Sequence, residues 1–478
     1  MSIPNKIQLM TYPDSLGGNL KNLKIILDTY LKNAIDFVHI LPPYPSSGDR
    51  GFAPLTHLEI DPKFGDWQDI QTISKDYGLM LDLIAGHIST ESNYFKDYIE
   101  KGENSKYYDM FMRVEKTFTD GNIKIQELEK FGYLTPVPPL ILFQLKNGEY
   151  KLHFKTFMPT QVDLDPKSPV TRQILTNFIK NQAKMGVKMI RLDAVETICK
   201  NRKLGYHMVP EVFEIIQWLI DLIKNNNMEI LCEVFGDLEL KNKIISMGAW
   251  VYDFNLPDII MHSLYSQNSK YLQEWFREDK KKYINVLTNH DGFMIGRILQ
   301  NLNQEEAKFT RQKMFENSGK STQQASGFVA NNVAVDGINC TLMEAVFRDQ
   351  NQWLMAHTLH LFAPGIPQMY YNDILGQRND EDLYKETGEG RSLIRHNHNM
   401  DLIKHKFEQP FVKKLVKLME IRNNHPAFDG EITVFETENQ EFVITWKKEN
   451  QEIKLTANLK NYQSTIEYTD EKSQKQIL

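Results

Sequence analysis

The chain has 478 residues, 41% of them apolar and 25% charged, so it is long enough to bury a large core. Its formal net charge of −6 and its scattered lysines and arginines give no reason to expect a nucleic-acid partner. No basic segment followed by an apolar core opens the sequence, and no run of about twenty apolar residues occurs in it. We therefore expect a cytoplasmic protein without a membrane span.

Apolar runs of strand length alternate with amphipathic stretches along most of the chain. Such alternation predicts parallel β/α units, and eight units predict an α/β fold with a closed (β/α)8 TIM barrel. The eight predicted strands cover residues 6–10, 37–41, 80–84, 187–192, 230–234, 251–254, 284–287 and 366–370. Helical patterns between them cover residues 20–31, 169–185, 210–225 and 349–362.

Two interruptions of this alternation are too long for ordinary loops. The first follows His87, is rich in Lys, Tyr and Phe, and contains several prolines, which predicts a small inserted domain. The second runs from about Gly292 to Asn351 and includes a polar segment, Asn317 to Ser326, which predicts a long loop or lid. In a barrel, both would stand over the rim at the carboxyl ends of the strands and wall off a pocket.

The pattern changes again after about Asn424, where short alternating stretches predict a small antiparallel sheet. The predicted domains are the barrel (1–87, 161–291 and 352–424), an inserted domain (88–160), a lid (292–351) and a C-terminal β domain (425–478).

Three carboxylates, Asp193, Glu233 and Asp291, each follow a strand-like run. The carboxyl ends of parallel strands meet at one rim of a barrel, so these side chains would lie together. A retaining glycosidase needs an ionised carboxylate as nucleophile and a protonated one roughly 5 to 5.5 Å away. Arg191, two residues before Asp193, would keep that aspartate ionised, whereas the apolar strand before Glu233 favours its protonated form. We therefore predict Asp193 as nucleophile and Glu233 as general acid/base, with Asp291 binding sugar hydroxyls and offsetting positive charge.

Each of these residues also has a plain structural explanation. An Arg-x-Asp pair on a strand is often an ordinary ion pair, and single rim carboxylates and histidines are often structural. The residues open to this alternative are Asp82, His87, Arg191, Asp193, Glu233 and His290. Their occurrence together, at successive strand ends, favours a catalytic site.

The set Asp82…His87, Arg191-Leu-Asp193-Ala, Glu233 and His290-Asp291 resembles the α-amylase superfamily, glycoside hydrolase family 13. Further motifs are similar to its sucrose phosphorylase branch, namely Leu9–Gly17, His39–Pro43, Ser47–Pro54, Phe64–Trp67, Pro364–Tyr371 and Gly390–His396. The opening third is most similar to the sucrose 6'-phosphate phosphorylases of that branch.

This resemblance implies that Asp193 is the nucleophile, Glu233 the general acid/base and Asp291 the transition-state stabiliser. It also implies a glucose pocket formed by Asp49, Phe52, His87, Arg191, His290 and Arg395. The reaction would transfer glucose from sucrose or a sucrose-like donor to inorganic phosphate through a covalent glucosyl-enzyme, giving α-glucose 1-phosphate. No metal or other cofactor is implied, and a homodimer is common in the branch.

The acceptor side departs from the branch pattern. The substituted positions are Gly86, Glu196, Thr197, Phe235, Ala334, Asp336 and Gly337, and the first insertion lacks an evident phosphate-binding arginine. Carboxylates such as Glu196 and Asp336 near a phosphate dianion would disfavour it, and Arg50 or Arg378 would have to compensate. Alternatively, Glu196 faces solvent in a surface ion pair and Asp336 lies at a solvated loop tip.

Three functions are compatible with these residues. The first is a glucoside phosphorylase that acts on sucrose or a phosphorylated sucrose. The second is a hydrolase or transglucosidase that passes the same glucosyl-enzyme to water or another hydroxyl compound. The third is a noncatalytic sugar-binding barrel, which the presence of all three carboxylates disfavours.

Overall fold

A computed structural model describes residues 3–131, 139–294, 302–326, 337–469 and 475–477. Eight strands form a closed barrel in which each strand lies beside its neighbours in sequence and the last lies beside the first. They are β1 (Gln8–Thr11), β2 (Phe37–Ile40), β3 (Gly78–Leu83), β4 (Met189–Leu192), β5 (Glu229–Cys232), β6 (Trp250–Asp253), β7 (Tyr283–Asn285) and β8 (Ile366–Tyr370). The predicted TIM barrel is confirmed.

The barrel strands are buried along almost their whole length. All four residues of β1, β2, β4 and β6 are buried, and β3 is exposed in part only at Gly78. Parallel strands covered on both faces carry continuous apolar runs rather than an alternating pattern. This explains why eight short apolar runs sufficed to predict the barrel.

Helices follow most of the barrel strands, and several of them begin at a side-chain cap. Ser168, for example, accepts a hydrogen bond from the Val170 amide, and Pro169 occupies the first turn of the helix it begins. The α-helices are Leu20–Ile26, Trp67–Ser74, Asn93–Lys101, Ile125–Leu128, Pro169–Lys184, Pro210–Lys224, Leu238–Met247, Leu256–Ser266, Lys270–Trp275, Gln304–Ala325, Leu342–Ala345, Gln350–Phe362, Tyr371–Ile374, Glu381–Thr387, Met400–Glu408 and Pro410–Asn424.

The predicted loop over Asn317 to Ser326 is wrong, because helix Gln304–Ala325 continues through most of it. Asn303 and Glu306 form a capping box at its start, and Gly319 interrupts it with a φ of 82° and a ψ of −171°. The buried face of this helix consists largely of small and hydroxyl-bearing residues. It therefore lacks the apolar periodicity from which a helix is predicted.

The stretch after His87 contains a pair of two-stranded sheets and its own apolar packing. Strand His87–Ser89 pairs antiparallel with Gln161–Asp163, and strands Leu140–Gln144 and Tyr150–Phe154 form a hairpin. Two buried clusters lie here, one with Phe95, Tyr98 and Phe111, the other with Phe118, Phe131 and Phe154. The domain boundaries drawn from the sequence stay predictions.

The C-terminal region forms the predicted antiparallel sheet, with five strands. They are β9 (Glu431–Val434), β10 (Glu441–Lys448), β11 (Gln451–Asn458), β12 (Gln463–Thr469) and β13 (Lys475–Ile477), paired in that order. Trp446 on β10 is buried and donates its indole N–H to the Phe362 carbonyl at 3.0 Å.

The chain divides into two compact units. Apart from Met1, the first comprises Ile40–Val234 and Lys241–Val251, and the second comprises Ser2–His39, Phe235–Leu240 and Tyr252–Leu478. The candidate nucleophile and acid/base belong to the first unit, whereas Asp291 belongs to the second. In the part of the chain that the structure describes, no helix is long and apolar enough to cross a membrane.

Candidate active site

In the first unit, one buried arginine contacts three carboxylates. The Arg191 guanidinium, on β4, is 1% exposed and lies with Nη1 3.0 Å from Asp193 Oδ1 and Nη2 2.6 Å from Glu233 Oε1. Its Nη1 also donates to Asp82, which is fully buried on β3. The structure therefore brings the predicted nucleophile and the predicted acid/base to the same cation, and Asp82 helps to hold it.

The parallel ladder places these side chains. Asp82 and Arg191 are register partners on β3 and β4, so their side chains stand side by side. Beyond the strand ends, the Asp193 amide donates to the Leu83 carbonyl and the Glu233 amide donates to Leu192, each at 3.1 Å. Both catalytic candidates are thus fixed by backbone hydrogen bonds of the barrel itself.

Ala194 adds a contact that the sequence did not reveal. Its backbone has a φ of 43°, in the left-handed region, and its amide donates to Glu233 Oε2 at 3.0 Å. Arg191 and this amide therefore engage both oxygens of Glu233, so the surroundings of Glu233 are not the apolar ones that the strand before it predicted. The Asp193 and Glu233 side chains are 10% and 7% exposed, which leaves a small accessible surface on each. A strained turn at a strand end is typical of a functional site.

Three of the predicted glucose-pocket residues, Asp49, Phe52 and His87, interact with one another in the unit that contains Arg191. The Phe52 ring lies 5.7 Å from the Arg191 guanidinium, and the Phe52 carbonyl contacts His87 Nε2 at 2.8 Å. The His87 ring lies 5.0 Å from Phe157, and burial lowers the pKa of His87, so it is neutral near pH 7. The negative charge of Asp49 lies close enough to oppose part of this lowering of the His87 pKa. The backbone of Asp49 has a φ of 47°, in the left-handed region.

Next to this cluster, Lys200 and Asp163 form an ion pair that sequence reasoning missed. Their charged atoms are 2.9 Å apart and their side chains are 3% and 2% exposed. Asp163 is the register partner of His87, and it also accepts hydrogen bonds from the Thr156 amide and hydroxyl. The pair therefore fixes the strand that carries His87.

In the second unit, two arginines contact the candidate stabiliser Asp291. Arg391 Nε lies 3.2 Å and Arg395 Nη2 3.3 Å from Asp291 Oδ1. Arg395 is buried and donates from Nε to the His290 carbonyl at 2.9 Å, whereas the Arg391 side chain is 44% exposed. The structure thus brings His290, Asp291 and Arg395 together as expected. Arg391 was missed, although it stands four residues before Arg395 in the same motif.

A tight turn presents Asp291. The Asn289 side-chain oxygen accepts from the Asp291 amide at 2.7 Å, and the Asn289 amide donates to the Gly292 carbonyl. Gly292 has a φ of 91°, and a Cβ there would lie 2.4 Å from the Ile338 carbonyl oxygen. Only glycine fits this position of the turn.

The acceptor-side residues have defined surroundings as far as the structure describes them. Glu196 does not face solvent as the alternative proposed, because its side chain is 4% exposed and pairs with His207 at 3.0 Å. Phe235 stacks on Phe254 with a centroid distance of 4.5 Å and an interplanar angle of 8°. Arg378 lies 2.9 Å from Glu344. Asp336 and Ala334 lie outside the described residues.

A family model for the α-amylase catalytic domain matches residues 11–465. The chain belongs to the α-amylase family. This confirms the resemblance that the motifs indicated, and the closed barrel is the architecture expected of the family. Within the described residues, no group of three or more His, Cys, Asp or Glu side chains is arranged to hold a metal ion.

Relatives within the α-amylase family match this chain over nearly its whole length. The chain is 36% identical over 487 residues to a sucrose 6(F)-phosphate phosphorylase of Thermoanaerobacterium thermosaccharolyticum, covering 98% of each. It is 33% identical over 472 residues to a glucosylglycerol phosphorylase of Marinobacter adhaerens, again covering 98% of each. A crystal structure of sucrose 6F-phosphate phosphorylase from Thermoanaerobacter thermosaccharolyticum matches with a TM-score of 0.94 and 35% identity, over 100% of this chain and 98% of that one.

Proposed function

We propose that the protein is a retaining glucoside phosphorylase that transfers glucose from sucrose or sucrose 6'-phosphate to inorganic phosphate. The product would be α-glucose 1-phosphate. The observation that carries this proposal is the pairing of Asp193 and Glu233 on the single buried Arg191 guanidinium. Near full-length relatives that are phosphorylases of sucrose 6(F)-phosphate and glucosylglycerol support phosphate as the acceptor.

In the first half-reaction, Glu233 gives its proton to the leaving-group oxygen while the bond from that oxygen to glucose C1 breaks. The Asp193 carboxylate forms an ester with C1. In the second half-reaction, a phosphate oxygen attacks C1 from the face that the leaving group had occupied, opposite Asp193. Its proton passes to Glu233, and the ester to Asp193 breaks. Two inversions at C1 give net retention.

The remaining residues would bind and stabilise the glucosyl unit. Asp49 and Arg395 suit the far hydroxyl groups, because carboxylates and guanidinium groups form strong charge-assisted hydrogen bonds. Phe52 would be an apolar wall, and neutral His87 would offer one ring nitrogen to a hydroxyl. Asp291, with His290, would offset the positive charge that develops at C1 in the transition state.

A hydrolase or transglucosidase is the second candidate, and the buried carboxylate of Glu196 favours it. Phosphate carries close to two negative charges near neutral pH, and a carboxylate near its site would oppose it by up to a few kcal/mol. Pairing with His207 offsets this repulsion only when the imidazole is protonated.

The deciding experiment is incubation of the purified protein with sucrose, sucrose 6'-phosphate or glucosylglycerol, each with and without phosphate. Phosphate-dependent α-glucose 1-phosphate is the expected result. Free glucose in equal amounts with and without phosphate would replace the proposal by a hydrolase. If none of the donors gives a product, the result would favour the third alternative, a noncatalytic sugar-binding barrel.

Three variants link the activity to the site. Asp193→Ala and Glu233→Gln are expected to lower turnover with these donors by at least about 10³-fold. Asp221→Ala, at an exposed position on helix Pro210–Lys224, is the matched control and should behave as wild type. Wild-type turnover in either site variant would show that the assigned mechanism is wrong.

A further inference from the structure

Asp373 is a buried carboxyl group for which the proposed mechanism has no role. It lies in the short helix Tyr371–Ile374 that directly follows β8, and the residue is 3% exposed. Its Oδ2 accepts a hydrogen bond from the Thr288 hydroxyl. Its Oδ1 is buried and has no hydrogen bond of ordinary geometry among the described residues, although the Leu342 amide lies close enough to act on the carboxyl group. A buried polar atom of this kind is costly, so its presence calls for an explanation.

Thr288 connects this carboxyl to the candidate site. It is itself buried and stands immediately before Asn289, whose amide and side chain close the turn that presents Asp291. Asp373 and Thr288 are 85 residues apart in sequence, so their hydrogen bond joins the end of β8 to the segment after β7. The base of the turn is therefore fixed from one side by Asp373.

We propose that Asp373 is a positioning residue that holds Thr288 and, through Thr288, sets the orientation of Asp291. This inference rests on the proposed function, in which Asp291 stabilises the transition state. An error of about 1 Å in the placement of a catalytic group is enough to cost roughly 10²-fold in rate. Loss of the buried hydrogen bond at the base of the turn is therefore expected to lower the rate through a shift of Asp291.

The surroundings of Asp373 make its neutral form accessible. Burial raises the pKa of Asp373 to about 7, opposed by the Thr288 hydroxyl and the nearby Leu342 amide. Among the described residues, the Cys340 thiol, whose pKa burial raises, interacts with the Asp373 carboxyl, and His357, whose pKa burial lowers to about 3, contacts the Asp373 backbone. Neither adds a charge at neutral pH. Thr288 can donate to the carboxyl and to the carboxylate alike, so the contact does not require ionisation.

Paired substitutions test the proposal. Asp373→Ala and Thr288→Val each remove the hydrogen bond, and each should lower kcat by roughly 10- to 100-fold with donor KM changed less than about threefold. Asp373→Asn keeps an acceptor oxygen and Thr288→Ser keeps the donor hydroxyl, so both should retain kcat within about threefold. The double variant Asp373→Ala with Thr288→Val should lose no more kcat than either single variant.

A matched control separates positioning from general destabilisation. Asn423 is also buried in the second unit, where its side chain accepts from the Ile7 amide ahead of β1, at the amino end of the strands. Asn423→Ala should lower Tm and leave kcat unchanged. The proposal is overturned if Asp373→Ala likewise affects only Tm, or if Asp373→Asn loses as much kcat as Asp373→Ala.

Failure of the proposed function can be distinguished from failure of the positioning role of Asp373. If the wild-type protein transfers glucose from none of the donors, the function is wrong irrespective of Asp373. The contact is still measurable then, because a double-mutant cycle of Tm between Asp373→Ala and Thr288→Val needs no activity. Additive effects in that cycle would disprove the hydrogen bond on which positioning depends.

Discussion

Arg191 Nη2 lies 2.6 Å from Glu233 Oε1, while Nη1 of the same guanidinium lies 3.0 Å from Asp193 Oδ1. A planar fork with donors on two nitrogens can hold two carboxylates at a fixed separation, which a single ammonium cannot do. A double displacement requires the nucleophile and the acid/base to keep a defined distance. We interpret Arg191 as the residue that sets this distance.

The first prediction concerns Arg191 itself. Arg191→Lys keeps the charge but loses the fork, and it should lower kcat/KM by at least about 10²-fold. Arg191→Gln also leaves buried carboxylates without a cation, and we expect it to cost about 3 to 5 kcal/mol of unfolding free energy. Steady-state kinetics and urea denaturation measure the two effects.

The control for this prediction is Arg202→Lys, because Arg202 also contacts two carboxylates, Asp120 and Glu127, but is 27% exposed. It should change neither kcat/KM nor stability by much. Equal losses in Arg191→Lys and Arg202→Lys would disprove a special role for the buried fork.

The second prediction separates the roles of Asp193 and Glu233. With α-glucosyl fluoride, whose leaving group needs little protonation, Glu233→Gln should still form the glucosyl ester but resolve it slowly. Intact-protein mass spectrometry should then detect a species heavier by one glucosyl unit. Asp193→Ala should never show it, and an adduct in that variant would exclude Asp193 as the nucleophile.

The third prediction concerns the dependence of stability on pH. Because the pKa of Asp373 is about 7 in the folded chain and 3.8 for an ordinary exposed aspartate, the unfolded chain releases this proton first as pH rises. The contribution of Asp373 to stability should therefore fall between about pH 4 and pH 7 and then stay low. Asp373→Asn removes a penalty of up to about 4 kcal/mol above pH 7.

Tm measured for wild type and Asp373→Asn between pH 5 and 8.5 tests this sign. The Tm difference should move in favour of the variant as pH rises to about 7 and then level off. A difference that is constant across the range would mean that Asp373 keeps one protonation state throughout.

The fourth prediction concerns the buried pair Lys200 and Asp163. Removing one partner leaves an uncompensated buried charge, so Lys200→Met should cost about 3 to 5 kcal/mol. Lys116 and Asp165 form a comparable but more exposed pair, with 21% and 13% exposure, and Lys116→Met should cost no more than about 1 kcal/mol. Urea denaturation measures both, and equal costs would contradict the role given to burial.

The fifth prediction addresses the acceptor. If the Glu196 carboxylate opposes phosphate, Glu196→Gln should lower the KM for phosphate by roughly three- to tenfold and leave the donor KM unchanged. His207→Gln should raise the phosphate KM, because it removes the partner of Glu196. An unchanged phosphate KM in both variants would place Glu196 too far from the acceptor to matter.

The sequence alone predicted the features that depend on residues close together along the chain. Eight apolar runs predicted the barrel strands, because a strand buried on both faces must be apolar along its length. The spacing from Arg191 to Asp193 predicted their contact, because side chains two apart on a strand share a face. Helix Gln304–Ala325 was not predicted for the complementary reason, since most residues of its buried face are polar or small.

The amino-acid sequence by itself thus determined the fold class, the family and the set of carboxylates proposed to act on a glucosyl unit. Only the tertiary structure decided that Arg191 also contacts Glu233, that Glu196 is buried beside His207, and that Asp373 holds Thr288. The physical reason is that periodicity and strand-end position are properties of neighbouring residues. A hydrogen bond or an ion pair between distant segments depends on the register and the turns that bring those segments together.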